Sequence, residues 1–265
     1  MTDGLGAAMA WGLGLCIGSF VNVVIHRLPL QALGASDAPG LAAPGSRCPH
    51  CLHPLAWHEL IPVWSWLRLR GRCAHCQAPI SWRYPAIELS VALLWLACLL
   101  RWGVGAQALG SAVFCTALLA LACIDWDTTL LPDALTQPLL WLGLGIGWAG
   151  WTALTLSNAV AGAVCGYASL WLVASAFALL TGKEGMGAGD FKLLAAVGAW
   201  LGPLALIPVV LIASVSGAVV GLWLQRRARL REGGYLPFGP FLALGAALTL
   251  FAGDALQAFW LGGSA

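Results

Sequence analysis

Hydrophobic residues run along this chain in long blocks separated by short polar loops. About eight stretches, near 5–25, 84–101, 106–124, 134–151, 157–181, 190–204, 206–224 and 237–260, approach the roughly 20 apolar residues that cross a bilayer. The sixth is short and runs into Pro203 and Pro208, which blurs its boundary with the seventh. Between the first and second stretches lies a polar insert rich in Pro, Cys, His and Arg. No internal repeat is evident. The pattern predicts an all-α membrane protein, a bundle of about eight transmembrane helices. Residues 1–27 form the first helix, 28–83 a small insert, and 84–265 the remaining membrane core.

Composition agrees. The chain is 60% hydrophobic and 9% charged, where soluble domains carry about 25% charged residues. The 33 glycines suit helices that approach closely in lipid. Trp11, Trp102, Trp151 and Trp260 fall near predicted span ends, as interfacial belts do. The net charge of +2 singles out no class of partner; the expected surroundings are the lipid bilayer, and no nucleic acid is expected. Asp3 is the only charge before Leu5–Ile25, so this segment is expected to be a retained anchor rather than a cleaved signal.

Basic residues concentrate in cytoplasmic loops. Alternating eight spans from an outside N-terminus puts Arg27, Arg47, Arg68, Arg70, Arg72, Arg83, Lys183, Lys192, Arg226, Arg227, Arg229 and Arg231 on the cytoplasmic side and leaves only Arg101 outside. The same assignment brings Asp125 and Asp190 to the cytoplasmic face.

The cysteines divide into two groups. Cys16, Cys98, Cys115, Cys123 and Cys165 lie in apolar runs and read as small core residues. Cys48-Pro49-His50-Cys51 and Cys73-Ala74-His75-Cys76 are C-x-x-C pairs separated by 21 residues in the insert, a spacing suited to a tetrahedral four-sulfur zinc site. An insert with few large aliphatic residues has little core, so a structural Zn2+ is a plausible source of its folding energy. A cytoplasmic location argues against disulfides. Four thiolates saturate zinc, so His50, His53, His58 and His75 read as loop residues around the site.

An ionised side chain in or near hydrocarbon is costly and usually functional. Asp125, Asp127 and Asp133 fall within nine residues at the end of the third apolar stretch. Asp133 follows Pro132 and suits the start of a helix; Asp127 lies further into the loop. Asp125 sits closest to the apolar span, where a shared proton is favoured, and is preferred over the other two. Asp190 follows Gly185-Met186-Gly187-Ala188-Gly189. It reads either as a helix N-cap or as a carboxylate against which the glycines admit an extended substrate. Lys192 is two residues on, off the Asp190 face, and reads as an anchor or a modulator of the local field. Two carboxylates suffice for peptide hydrolysis: one activates water, the other, protonated, polarises the carbonyl, and like charges side by side keep one proton between them.

The chain resembles the type IV prepilin peptidases over essentially its full length. Gly18-Ser19-Phe20-Val21-Asn22-Val23-Val24-Ile25-His26-Arg27-Leu28-Pro29 is similar to the family's N-terminal signature. The paired C-x-x-C motifs, Glu59 to Pro62, Ser65-Trp66-Leu67, Gly71-Arg72-Cys73 and Arg83-Tyr84-Pro85 are similar to its zinc-binding insert. Gly187-Ala188-Gly189-Asp190 resembles the Gly-x-Gly-Asp motif shared with presenilin-type proteases, and Pro237-Phe238-Gly239-Pro240 the start of the family's last span.

The resemblance implies a protease of the bacterial inner membrane that removes the basic leader of prepilins and pseudopilins after a glycine, on the cytoplasmic side. Its catalytic aspartates map onto Asp125 and Asp190. It also implies N-methylation of the new N-terminal residue by S-adenosylmethionine, with Gly71, Glu59 and the cysteine insert as candidate contributors; no Rossmann-like glycine fingerprint is present. The substrate's apolar helix would enter the bilayer beside the enzyme while Asp127, Asp133 and Glu184 attract its basic leader. The competing classes are an ion-coupled transporter, which predicts mid-membrane carboxylates and repeat symmetry between halves, and a zinc-bearing secretion scaffold, which has no need of Asp190 in its glycine motif.

Overall fold

The computed structural model describes residues 4–34, 38–183, 185–227 and 236–260; Asp3, Glu184, Arg229 and Arg231 lie outside the described residues. Among the described residues the chain is helical, with no strands beyond two isolated bridges in the insert. Its elements are α1 (Gly4–Ala32), a 3-10 turn (Trp57–Glu59), α2 (Trp64–Arg68), α3 (Arg83–Trp102), α4 (Ala106–Thr128), α5 (Asp133–Ala149), α6 (Leu156–Thr181), α7 (Ala188–Leu201), α8 (Leu206–Arg226) and α9 (Gly239–Trp260). Each predicted apolar stretch therefore holds one long helix. Five of them, α1, α3, α4, α6 and α8, are long and apolar enough to cross a membrane, and the chain is a multi-pass membrane protein.

The first helix outruns the predicted stretch by nearly two turns. Leu28 and Pro29 stay buried, and a proline this close to the C-terminus removes one intrahelical bond without breaking the element. Arg27 fixes the start of the insert. Its guanidinium donates to the carbonyls of Gly40 and Pro44 at 2.7 Å each and of Gly45 at 3.3 Å.

The chain divides into two compact units, residues 1–116 and 117–265, with the boundary inside α4. In the first unit α1 packs on α3. The contact needs glycine: a Cβ on Gly14 would stand 2.6 Å from Ala92 Cα, and one on Gly18 would stand 2.7 Å from Glu88 Cα. Where lipid gives helices no hydrophobic reason to associate, such close backbone approach supplies the dispersion contacts that hold them together. The Trp95 indole N–H donates to Thr116 Oγ1 at 3.0 Å, satisfying a polar group that would otherwise be orphaned.

In the second unit α7 is central, packed on α5, α6 and α9, while α8 pairs chiefly with α9. From Asp190 to Ala199 every α7 residue except Lys192 is buried. At 14 residues and a rise of 1.5 Å, α7 is about 21 Å long, shorter than the roughly 30 Å hydrocarbon layer. That explains why the sixth stretch is so short: this helix is wrapped by protein rather than exposed to lipid. Gly162 of α6 and Gly198 of α7 touch backbone to backbone, with no room for a side chain on either. The Trp200 indole donates to Leu139 O of α5 at 2.7 Å.

Candidate active site and metal centre

Asp125 lies one turn before the end of α4 and is 5% exposed, while Asp190 lies in the first turn of α7 and is 6% exposed. The two carboxylates come from separate helices of one unit. Asp127 is exposed, but it lies in the last turn of α4 rather than in a loop, because the helix runs past the apolar stretch to Thr128. Asp133 begins α5 and is exposed as well.

The backbone holds this arrangement at three points. Asp125 Oδ2 accepts a buried 2.9 Å hydrogen bond from the Gly239 N–H, which α9 leaves unsatisfied at its start. A Cβ on Gly239 would stand 2.7 Å from that same oxygen. A Cβ on Gly189 would stand 2.8 Å from Leu131 Cβ, so glycine lets the Asp190 helix close on the loop that follows Asp125. Thr129 turns that loop with φ at +56°, a conformation costly for a β-branched residue, and donates its N–H to Asp125 O at 2.8 Å.

Three expectations change here. Asp190 does not cap α7: the N-cap is Gly187, and Asp190 lies three positions further in with its N–H bonded to Gly187 O. Gly189 makes room for Leu131 rather than for a substrate, whereas Gly187 has open space around it. Lys192 is more than an anchor, since its Nζ lies 2.7 and 2.9 Å from the two carboxylate oxygens of Asp133. Asp133, engaged with that cation, is a poor candidate to attract a basic leader. Separation in sequence hid this pair.

The insert carries the second site. The Sγ atoms of Cys48, Cys51, Cys73 and Cys76 all lie within 4.8 Å of one another, and among the described residues no histidine joins them. Cys48 Sγ and Cys76 Sγ are 3.7 Å apart. A tetrahedron with Zn–S bonds of 2.3 Å has edges of about 3.8 Å, so the residues present fit a structural Zn2+. Charge leads to the same conclusion. Backbone N–H groups of Cys51 and His50 hold the Cys48 thiol down to about 6. The Ala78 backbone lowers Cys76, but desolvation and the three other sulfurs outweigh it and push that thiol up to about 11. Four thiolates this close need a cation.

The two C-x-x-C segments are one structure used twice. Arg47 bridges Pro54 and Arg72 bridges Pro79. Cys48 N donates to His53 O at 3.0 Å, and Cys73 N to Ala78 O at 2.9 Å. Leu55 N donates to Ser46 O, and Ile80 N to Gly71 O. Leu52 and Gln77 take the same left-handed turn, with φ of 57° and 59°. A short internal repeat therefore exists, and its signal, Arg-Cys-x-His-Cys-x-x-Pro followed by Leu or Ile, is in the sequence at 47–55 and 72–80. A search on the scale of whole spans passes over it. His53 and His75 meet across the pair, ring centroids 3.7 Å apart and planes tilted by 44°.

A cavity of about 420 Å3 opens in the first unit, lined among others by Asn22, Glu59, Trp66, Tyr84 and Glu88. Sequence reasoning missed Glu88; the available signal was an acidic residue inside an apolar run. Gly71 stands behind the wall with φ at +67°, and a Cβ there would meet the Trp66 ring at 3.0 Å. Glu59 thus lines the cavity directly, and Gly71 bears on it through the Trp66 ring.

Residues 13–102 match the model of the bacterial peptidase A24 N-terminal domain, and residues 112–222 that of the type IV leader peptidase family. A protein of Burkholderia pseudomallei (strain K96243) named prepilin leader peptidase/N-methyltransferase is 49% identical, over 96% of this chain and 87% of its own length. Proteins of the same name from Stutzerimonas stutzeri and Aeromonas hydrophila are 46% and 47% identical, over 94% and 93% of this chain and 91% of their own lengths. No solved structure matches the chain. With two buried aspartates on separate helices, a four-cysteine cluster and relatives alike over nearly all its length, the chain belongs to the type IV leader peptidase family.

Proposed function

We propose that this protein removes the leader of prepilins and pseudopilins and then N-methylates the new N-terminal residue, with Asp125 and Asp190 as the carboxylates of the peptidase. The reading is supported by one observation: two buried aspartates come from different helices of one unit of a leader-peptidase chain. Side by side, such carboxylates share a proton. The ionised one takes a proton from water, whose oxygen attacks the scissile carbonyl, while the protonated one polarises that carbonyl and later protonates the leaving amine. The Gly239 N–H on Oδ2 fixes the orientation of Asp125.

The substrate is an apolar helix with a basic leader, cut after a glycine whose freedom eases the unwinding that cleavage requires. The protein resides in the bacterial inner membrane with eight spans, and the clustering of basic residues in loops on one side supports an active site at the cytoplasmic face. Zn2+ in the four-sulfur site serves the fold of the insert, because a closed tetrathiolate leaves no position for substrate. S-adenosylmethionine supplies the methyl group, and Glu59 and Gly71 belong to the region that handles it.

Processing of a co-expressed prepilin tests the peptidase reading. Asp125→Asn and Asp190→Asn each keep shape and polarity, and each should leave the precursor uncut while inserting normally in the membrane. Cutting at near the wild-type rate by either variant removes that aspartate from the dyad.

A further inference from the structure

We propose that α2 is a membrane-interface helix: Ile61, Trp64 and Leu67 lie in the headgroup–acyl boundary of the bilayer that the chain itself spans, and Arg68 meets the lipid phosphates beside them. How the insert is seated on its membrane is independent of the chemistry the chain performs.

The insert begins and ends on membrane helices, and those two helices give its depth. α3 is 20 residues long. At a rise of 1.5 Å per residue it measures about 30 Å, the thickness of the hydrocarbon layer, so its whole length is needed to cross. Its first residues therefore mark the water boundary, and Trp82, exposed immediately before them, suits the interfacial belt. α1 is level with this boundary at Asn22, whose Nδ2 donates to Tyr84 O at 3.2 Å. It runs on to Ala32, about three turns beyond, so the chain leaves α1 out in water.

The chain then comes back. Val63, the residue before α2, donates its N–H to Glu88 Oε2 at 2.7 Å. Glu88 follows Arg83, the first residue of α3, by five residues. That is about 7.5 Å along the axis, and helical side chains lean toward the N-terminus. The start of α2 is thus held between the first turn of α3 and that depth. Interfacial helices bury their apolar face to a similar depth, roughly 5–10 Å into the headgroup–acyl boundary. The backbone is strained to make this seat. Val63 takes a φ of 61°, costly for a β-branched residue, and the bond to Glu88 holds it there.

The faces of α2 suit the place. Trp64, Leu67 and Arg68 stand three and four positions apart, on one side of the helix. Trp64 is 60% exposed and Leu67 57%, and Ile61, just before the helix, is exposed as well. The opposite side faces protein, where the Trp66 indole N–H donates to Ile80 O at 3.1 Å. Trp57, on the 3-10 turn packed against α2, adds a second exposed indole. A contiguous apolar patch of this kind marks an interaction surface, and at this depth the surface that meets it is lipid. Arg68, Arg70 and Arg72 follow, all exposed, and among the described residues none is paired with a carboxylate. Indole and aliphatic side chains beside arginines match a layer of acyl chains beneath phosphodiesters.

The test uses the full-length wild-type protein in nanodiscs of phosphatidylcholine and phosphatidylglycerol. They include a phosphatidylcholine that carries a diazirine near the top of one acyl chain. After irradiation and digestion, lipid adducts are mapped by mass spectrometry. Adducts on residues 61–68 are expected to exceed those on the exposed cysteine turn at 72–79 several-fold. Adducts on α6, where Leu172 and Val173 are exposed, show that the probe has reacted. A nitroxide amino acid in place of Leu67, and in a second sample in place of Gln77, gives the depth. Position 67 should be open to dissolved oxygen and shielded from a water-soluble nickel chelate, and position 77 the reverse. Labelling of α6 without labelling of 61–68 overturns the proposal, even if the nitroxide variants fail to fold. Chelate access at 67 equal to that at 77 would place α2 in water, and shielding from both oxygen and chelate would place protein over it; either result overturns the proposal as well.

Discussion

Lys192 Nζ grips both carboxylate oxygens of Asp133, at 2.7 and 2.9 Å, and so ties the helix carrying Asp190 to the segment that follows Asp125. Asp133 opens α5, and Lys192 stands two residues beyond Asp190 on α7. The pair is solvated, with the side chains 31% and 61% exposed. Exposed pairs contribute only about 0.2–1 kcal/mol to stability. Its value lies in position rather than in energy.

Lys192→Gln should therefore leave the melting temperature almost unchanged and lower the prepilin cleavage rate about two- to five-fold, the kinetic counterpart of that energy. Asp133→Asn should do the same. In a double-mutant cycle on initial rates the two losses should fail to add, because both remove one contact. Full additivity would assign Lys192 and Asp133 unrelated roles.

Gly239 and Gly187 make a sharper contrast. A methyl on Gly239 would stand 2.7 Å from Asp125 Oδ2, whereas Gly187 has nothing within 4 Å. Gly239→Ala should displace the carboxylate, and misplacement by about 1 Å can cost 10²-fold in rate. Gly187→Ala should retain most activity. Single-turnover cleavage in nanodiscs compares the two; equal losses would mean that Gly187 acts through substrate rather than through the framework.

The sequence made the helices readable because long apolar blocks admit few alternatives in a bilayer, and α3, α6 and α8 begin and end within two residues of the predicted stretches. It was weaker where interactions join distant positions. Nothing near Lys192 points to Asp133, and nothing near Gly189 points to Leu131. Glu88 shows the same limit: an acidic residue in an apolar run was visible, but its partners Val63 and Ser19 lie far off in the chain. Asp125 and Asp190 stood out through cost, since a carboxylate beside hydrocarbon calls for a purpose.

The metal site predicts a separation of effects. Cys48→Ser removes one of four sulfurs that crowd within 4.8 Å. Zinc content should fall from about one per chain, and the insert should become protease-sensitive, because binding energy in such sites is folding energy. Elemental analysis with limited proteolysis checks this. Full zinc retention in both Cys48→Ser and Cys73→Ser would exclude a four-sulfur shell.

The seat of α7 gives the last prediction. Gly162 and Gly198 meet backbone to backbone, so any side chain on either must push α6 and α7 apart. Gly198→Val should destabilise the protein by about 1–3 kcal/mol, the usual cost of overpacking. Asp190 sits at the N-terminal end of the helix that would move, so cleavage should fall further than the folded fraction does. Gly12 of α1 has open space around it, and Gly12→Val controls for β-branching in a helix. Thermal melts in detergent and cleavage per folded molecule separate the two effects. If Gly198→Val lowers stability while each folded molecule still cuts at the wild-type rate, the α6–α7 contact supports the fold but does not position Asp190.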